Sequence, residues 1–118
     1  MIYLAAPYGG KKENVLVVEK AIRNLIKCKD VYKIGEGIKV IRGPIVSPIH
    51  SFGFLYDDIP YLEGMDMCIG LLSRCSQIIF ITGWEDSKGC QIEFGYATGS
   101  NMPIYFYDIH TGRLTSKA

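Results

Sequence analysis

Short apolar runs, each bounded by turn residues, constrain the fold of this chain more than any other feature. Four of them predict β-strands: IYLAA at 2–6, PIVSPI at 44–49, QIIFIT at 77–82 and PIYFYD at 103–108. Strands that are apolar on both sides are typical of a parallel sheet whose two faces are covered by helices. We therefore expect these strands to lie in the interior.

Helical patterns separate the apolar runs. Residues 12–27 place apolar side chains on one stripe and charged ones opposite, and further helices are predicted at about 60–74 and 88–100. This alternation predicts a single α/β domain over residues 1–118. The expected architecture is a flavodoxin/Rossmann-like three-layer sandwich with a four- to five-stranded parallel sheet.

Two segments fall outside this alternation. Residues 29–43 are predicted to be a glycine-punctuated connection with room for a short extended piece at 38–41. Residues 109–118 are predicted to be a polar tail.

The charge balance limits the class of partner. The formal net charge is +1 and the basic residues are spread along the chain, which argues against a nucleic-acid polymer or an anionic membrane as the main partner. The start MIYLAAPYGGKK lacks the basic region and long apolar run of a signal peptide, and no apolar run approaches membrane-spanning length. We therefore expect a cytoplasmic protein.

The cysteines do not form a recognisable metal or disulfide pattern. The four cysteines, at positions 28, 68, 75 and 90, include no CxxC pair, and the chain has two histidines. This spacing is not that of a zinc site. Buried free thiols in a reducing compartment are the expected state.

Polar and special residues collect in the loops that follow the four predicted strands. These loops are APYGGKK, SPIHSF, TGWEDSKG and YDIHTG. In parallel α/β sheets ligands bind beyond the carboxyl ends of the strands, near the point where the strand order reverses. The sequence therefore predicts a site at this edge of the sheet.

The first of these loops contains Pro7, Tyr8, Gly9 and Gly10 directly before a helix. Glycines allow a backbone to approach a ligand closely, and the N–H groups at a helix start favour an anion. The pattern is neither GxGxxG nor a P-loop, so a phosphate cradle and a plain strand-to-helix turn are both open interpretations.

Glu93 is the one side chain with a formal charge between Cys90 and Tyr107. A carboxylate in apolar company costs free energy unless it has a partner or a use. Gly89, one helical turn earlier, is expected to leave open space beside it, and the helix start at 87–89 would stabilise a negative charge. A glutamate that reaches solvent and a functional carboxylate are the two interpretations.

Four further residues allow a structural and a functional interpretation each. Asp66, in the middle of a predicted helix, is either a surface residue or an acid held among methionines. Asp86 is either a helix N-cap or a site residue, and Trp84 is either a packing anchor or the wall of a site for a planar ligand. His50 is either a hydrogen-bonding loop residue or a group that titrates near neutrality.

Taken together, the start IYLAAPYGGKKEN, the helical Asp66 and the segment GWEDSKGCQIEFGYATGSNMPIYFY resemble the nucleoside 2-deoxyribosyltransferase superfamily, and within it small bacterial and phage proteins. The resemblance covers nearly the whole chain except residues 29–43 and the tail. It implies that Glu93 is the nucleophile that attacks the anomeric carbon. It also implies that Asp66 assists proton transfer to the leaving base and that Tyr3 positions the nucleophile.

The resemblance has further implications and two departures. It implies that Gly9 and Gly10 hold a 5′-phosphate, as in the nucleotide-hydrolysing branch, and that the protein is a homo-oligomer, a dimer or larger. Ser87 and Lys88 separate Asp86 from the motif glycine, whereas the transferases have these two adjacent. The tail matches no C-terminal residue of the kind that the transferases supply to a neighbouring subunit.

The expected function is therefore cleavage or transfer of the N-glycosidic bond of a (deoxy)nucleoside or its 5′-monophosphate. Such chemistry needs two carboxyl groups in unlike environments, here an ionised Glu93 and a protonated Asp66. It needs neither a metal nor another cofactor. The alternative is a non-catalytic protein that binds or sequesters nucleotides.

Overall fold

The computed structural model describes residues 1–27, 31–34, 37–40 and 43–117, and strands and helices alternate along them. The strands are β1 (Ile2–Ala5), β2 (Val31–Ile34), β3 (Gly37–Val40), β4 (Ile45–Val46), β5 (Gln77–Ile81), β6 (Ile104–Tyr107) and β7 (Leu114–Ser116). The helices are α1 (Lys12–Lys27), α2 (Pro48–Phe52), α3 (Tyr61–Leu72) and α4 (Lys88–Gly99). The predicted α/β class is confirmed.

The central sheet has five strands in the order β4-β1-β5-β6-β7. β1 pairs in parallel with β4 on one side and β5 on the other, and β5 pairs in parallel with β6. β7 runs antiparallel to β6, so the sheet is mostly rather than wholly parallel. The strand count agrees with the prediction, and the direction of the edge strand does not.

The edge strand β7 corrects the prediction of a polar tail. The chain reverses at Gly112, whose φ is 71°, and the Gly112 N–H donates to the carbonyl of Asp108 at 2.8 Å. Leu114 is then buried in the core with Tyr107 as its pairing partner. Leu114 is the buried residue of this strand, while Thr115 and Ser116 are exposed and pair with β6 through the backbone.

Residues 29–43 lie partly outside the described residues. Their described part is a separate two-stranded antiparallel sheet in which Val31 of β2 pairs with Val40 of β3. The expected extended piece at 38–41 corresponds to most of β3. The sequence analysis did not predict the second strand, β2, which pairs with it.

The second predicted strand, 44–49, is much shorter than expected. Only Ile45 and Val46 pair with β1, because Ser47 ends the strand and caps α2. The Ser47 hydroxyl accepts a hydrogen bond from the His50 N–H, and Pro48 occupies the first helical position, where a missing N–H costs nothing. His50 therefore lies in a short helix and not at a strand end.

Helices cover both faces of the sheet, which confirms a three-layer arrangement. On one face α1 packs Val18, Ala21 and Leu25 against alternate strand residues such as Leu4 and Ile79. On the other face α3 and α4 pack against the strand residues whose side chains point the opposite way. This second cluster contains Tyr3, Ala5, Leu72, Ile78, Phe80, Cys90, Ala97 and Ile104. The strands β1 and β5 are therefore buried on both sides.

The connections place the reversal of strand order between β1 and β5. The connection from β1 through α1 reaches β4 on one side, and the connection from β4 through α3 crosses back to β5 on the other. A crevice therefore opens beyond the carboxyl ends of β1 and β5. Among the described helices none has the length and apolar composition required to cross a membrane.

Candidate functional site

A cavity of about 820 Å³ lies at this crevice. Its wall is formed by the turn after β1, by α2 and the segment that follows it, by one face of α3, and by the start of α4. Of the residues predicted to bind substrate or act on it, those in the lining are Pro7, Tyr8, Gly9, Asp86, Ser87, Gly89 and Glu93. The site lies where the parallel-sheet rule places it.

Glu93 lies in this lining and is almost completely buried, with 4% of its surface exposed. Its carboxylate accepts a hydrogen bond from the Tyr3 hydroxyl. Burial raises the pKa of Glu93 from 4.5 to about 7, and the bond from Tyr3 opposes this rise. The interpretation of Glu93 as a glutamate that reaches solvent is therefore wrong.

The pKa of Glu93 also differs from the expectation of a fully ionised carboxylate. The helix N-cap is Ser87, so Glu93 lies in the second turn of α4. The favourable effect of a helix N-terminus on a negative charge fades beyond the first turn, and desolvation dominates.

Tyr3 is fully buried in the interior strand β1, on the sheet face that α3 and α4 cover. Burial, followed by the negative charge of Glu93, raises the pKa of Tyr3 far above its ordinary value. The phenol therefore stays protonated and donates to Glu93. The structure brings these two residues together, as the resemblance implied.

Cysteine thiols lie beside this pair. Cys68 of α3 lines the cavity, and burial raises its pKa to about 11. Burial raises the pKa of Cys90 to about 12. Cys68, Cys75 and Cys90 are free thiols, with Cys68 only half-buried, and Cys28 lies outside the described residues.

The glycine pair after β1 forms a left-handed turn. The φ values are 59° at Gly9 and 73° at Gly10, a region that side-chain-bearing residues avoid. Gly9 lines the cavity, whereas a Cβ at Gly10 would lie 3.0 Å from the ring of Tyr56. The turn and the packing of Tyr56 account for both glycines, and the phosphate cradle stays a prediction.

The space beside Gly89 is not open, contrary to the sequence prediction. A Cβ at this position would lie 3.3 Å from the Tyr61 hydroxyl oxygen and 3.4 Å from the Met65 sulfur. Gly89 therefore allows α3 to approach α4 closely, and a side chain at this position would be in tight contact with the Tyr61 hydroxyl.

Asp66 does not line the cavity, and its side chain is exposed. The helix turns Gly64, Met65 and Cys68 toward the cavity, and one residue along an α-helix rotates by about 100°. Asp66 therefore faces solvent. The expectation that Asp66 lies in apolar surroundings is wrong.

His50 also lies outside the lining. Its Nε2 is 2.9 Å from a carboxylate oxygen of Glu19 on α1, and its Nδ1 is 3.0 Å from the Ser47 hydroxyl. Its neighbours Pro48 and Ile49 line the cavity instead. These contacts favour the interpretation of His50 as a hydrogen-bonding surface residue.

Trp84 is packed rather than presented to the cavity. Its ring stacks on Phe94 with centroids 4.9 Å apart and on Phe106 with centroids 5.4 Å apart, each at an interplanar angle of 25°. It does not line the large cavity. The contacts favour a packing anchor over a wall for a planar ligand.

Asp86 is a second carboxyl group in the cavity wall. The N-cap of α4 is Ser87, whose hydroxyl accepts from the Cys90 N–H at 3.3 Å, so the N-cap interpretation of Asp86 is wrong. The Asp86 side chain is exposed and lines the cavity near its mouth. It shares that wall with Lys88.

Several lining residues were missed by the sequence analysis. The main ones are Tyr56 and, on α3, Tyr61, Gly64, Met65 and Cys68. The α3 residues repeat at helical spacing on one face, and that spacing was a usable signal. Among the residues that the structure describes, no group of three or more histidine, cysteine, aspartate or glutamate side chains could hold a metal ion.

Fold and site define an α/β protein with a buried glutamate in a cavity at the point where strand order reverses. Residues 1–106 match the family described as "Domain of unknown function (DUF4406)", and the chain belongs to this family. No curated protein and no solved structure matches the chain. The family description gives no activity, so a function must be argued from the cavity.

Proposed function

We propose that the protein cleaves or transfers the N-glycosidic bond of a (deoxy)nucleoside or its 5′-monophosphate, with Glu93 as the nucleophile. The observation that carries the proposal is the nearly buried Glu93 carboxylate in a cavity of about 820 Å³, with the Tyr3 hydroxyl bonded to it. The resemblance of the motifs around both residues to the nucleoside 2-deoxyribosyltransferases suggests the same roles. The cavity volume suits a ligand of this size.

In the proposed reaction the ionised Glu93 attacks the anomeric carbon. The bond from that carbon to the base nitrogen breaks, the electron pair leaves with the base, and the base takes up a proton. Water, or a second base in a transfer reaction, then displaces the glutamate and restores it. A pKa of about 7 leaves about half of Glu93 ionised at neutral pH, which is sufficient for this role.

Two lysines support an anionic substrate, such as a 5′-monophosphate. Lys11 at the turn after β1 and Lys88 at the start of α4 both line the cavity. The ion pairs formed among the described residues involve Glu19 and neither of these lysines. Unpaired lysines at the wall of a cavity attract phosphate groups.

The proposal is tested by incubating the protein with nucleosides, deoxynucleosides and their 5′-monophosphates, with and without an acceptor base, while free base is followed by chromatography. Glu93→Gln keeps the shape and the acceptor for Tyr3, and it should abolish turnover. Glu63→Gln changes an exposed glutamate of α3 outside the cavity and should leave turnover unchanged. Base release by Glu93→Gln at the wild-type rate would contradict the assignment.

The dependence of base release on an added acceptor base and on the 5′-phosphate then distinguishes the possible enzymes. Release that requires an added base identifies a transferase, whereas release into water identifies a hydrolase. A requirement for the 5′-phosphate that is lost in Gly9→Ala or Gly10→Ala would support a phosphate site at this turn.

The second candidate is a protein that binds nucleotides without cleaving them. The exposure of Asp66 favours it, because the expected proton donor does not reach the cavity. Calorimetric binding of a nucleotide by wild type and by Glu93→Gln with equal affinity, together with no release of base, would support this candidate over the enzyme.

A further inference from the structure

The hydroxyl of Tyr61 is a polar group in the cavity wall that has no assigned role. Tyr61 is the first residue of α3, its side chain lines the cavity, and 43% of it is exposed. Lys88 places its ammonium nitrogen 5.7 Å from the ring centroid. Within the described part of the chain, no residue hydrogen-bonds to the Tyr61 hydroxyl, so this donor is available to a ligand.

Gly89 fixes the position of this hydroxyl relative to Glu93. The two residues are four apart on α4, and such residues lie on one helix face with Cβ positions about 5–6 Å apart. The Tyr61 oxygen is 3.3 Å from the place where a Gly89 Cβ would be. The hydroxyl therefore lies about one helical turn from the base of the Glu93 side chain, on the same side of α4.

This separation suits a group that acts on the departing base. The attacking oxygen and the leaving nitrogen are on opposite sides of the anomeric carbon, and reacting atoms approach to about 3–3.5 Å before bond formation. A donor for the leaving group must therefore lie beyond the sugar carbon and not against the carboxylate. Burial and the negative charge of Glu93 raise the pKa of Tyr61, so the hydroxyl keeps its proton and donates at neutral pH.

We propose that the Tyr61 hydroxyl, in place of Asp66, donates a hydrogen bond to the nucleobase as it leaves. Residue 89 is then glycine because a side chain there would crowd this hydroxyl. The inference rests on the proposed N-glycosidic function. The hydrogen bond stabilises the electron pair that the base gains when the bond to the anomeric carbon breaks, and the base takes its proton from water. Tyr61 keeps its own proton.

The primary test is Tyr61→Phe, which retains the ring in the wall and removes only the oxygen. A hydrogen bond to a developing charge predicts a fall in kcat of about 10- to 100-fold with a small change in KM. The fall should be largest for bases whose anions are least stable, a dependence that a purely structural role would not produce. Tyr96→Phe, on the same helix as Glu93 but outside the cavity, should leave kcat unchanged.

Gly89→Ala gives a second, independent test. The new methyl group would lie 3.3 Å from the Tyr61 oxygen and 3.4 Å from the Met65 sulfur, so the hydroxyl must shift by a few tenths of an ångström, and kcat should fall, though by less than in Tyr61→Phe. In the Tyr61→Phe background the oxygen is absent, and Gly89→Ala should then have much less effect. Full additivity of the two changes would overturn the inference.

The outcomes separate this inference from the proposed function. Base release by wild type together with an unchanged rate in Tyr61→Phe overturns the role of Tyr61 and leaves the proposed function intact. If no base is released from a deoxynucleoside 5′-monophosphate, the proposed function fails. The NMR resonance of the Tyr61 ¹³Cζ atom, recorded with and without the monophosphate, then tests whether the Tyr61 hydroxyl contacts the base. A change in this resonance that the monophosphate causes and ribose 5-phosphate does not cause supports contact between Tyr61 and the base. An unchanged resonance, or no binding of the monophosphate, overturns the inference.

Discussion

The Tyr3 hydroxyl of β1 donates a hydrogen bond to the Glu93 carboxylate of α4, across 90 positions of the chain. The two residues meet because β1 is an interior strand of the sheet and its odd-numbered side chains face the layer formed by α3 and α4. The bond gives a nearly buried carboxylate a hydrogen-bond partner. Its energetic consequences are measurable without knowledge of the ligand.

Glu93→Gln should make the protein more stable at alkaline pH. The pKa of Glu93 is about 7 when folded and 4.5 in an open chain, so the folded state binds the proton more tightly. Stability is therefore lost as pH rises from about 4.5 through 7, and the loss approaches about 3 kcal/mol. In urea unfolding, the stability gain from Glu93→Gln should be about 2–3 kcal/mol larger at pH 8 than at pH 5. A gain that does not depend on pH would contradict the raised pKa, and Glu63→Gln is the control.

Tyr3→Phe should move the acidic limb of the pH–activity profile to higher pH. The hydrogen bond from Tyr3 lowers the pKa of Glu93 against the effect of burial, so its removal raises that pKa above about 7. Because the nucleophile must be ionised, activity is lost as pH falls through this pKa. The measurement is kcat/KM between pH 5 and pH 9. A limb that stays in place or moves to lower pH would contradict this, and Tyr96→Phe should not move it.

Gly10→Ala should destabilise the protein more than Gly9→Ala. Both glycines have left-handed φ values, 73° and 59°, so each alanine costs about 1–2 kcal/mol of backbone strain. A methyl group at position 10 also meets the Tyr56 ring at 3.0 Å, whereas nothing lies within 4 Å of one at position 9. Urea unfolding of both variants measures the difference. Combining each with Tyr56→Ala should make the two costs nearly equal, and an unchanged gap would argue against the clash.

Trp84→Ala should lower the free energy of unfolding by about 3 kcal/mol and leave KM unchanged. The ring stacks on Phe94 and on Phe106 and does not line the large cavity. Thermal or urea unfolding and steady-state kinetics together test both parts. A raised KM with unaltered stability would place Trp84 in the binding site after all.

The parallel strands of the sheet and the importance of Glu93 were predictable from local sequence. The apolar runs marked the strands of the parallel core, and Glu93 stood out because no other formal charge lies near it on its helix. Tyr3 was assigned through a resemblance, and the alternation of a strand explains why it faces α4. These are properties of one element at a time.

Asp66, His50 and Trp84 could not be placed in the same way. Which face of α3 meets the cavity depends on how closely α3 approaches α4 at Gly89, and that approach joins residues distant in sequence. His50 faces α1 because Ser47 ends β4 early and starts a helix there. Trp84 turned inward because Phe94 and Phe106, from two other elements, formed a surface for its ring.

The position of β1 between β4 and β5 also has a consequence for biosynthesis. Ile2 pairs with Ile45 on one side and with Gln77 on the other, so both partners of β1 are translated long after it. Until β5 leaves the ribosome, this apolar strand has an open edge that can pair with another nascent chain. The protein should therefore aggregate more readily when synthesis stalls before β5 than when it stalls after it, and the cavity can form only once α4 has followed.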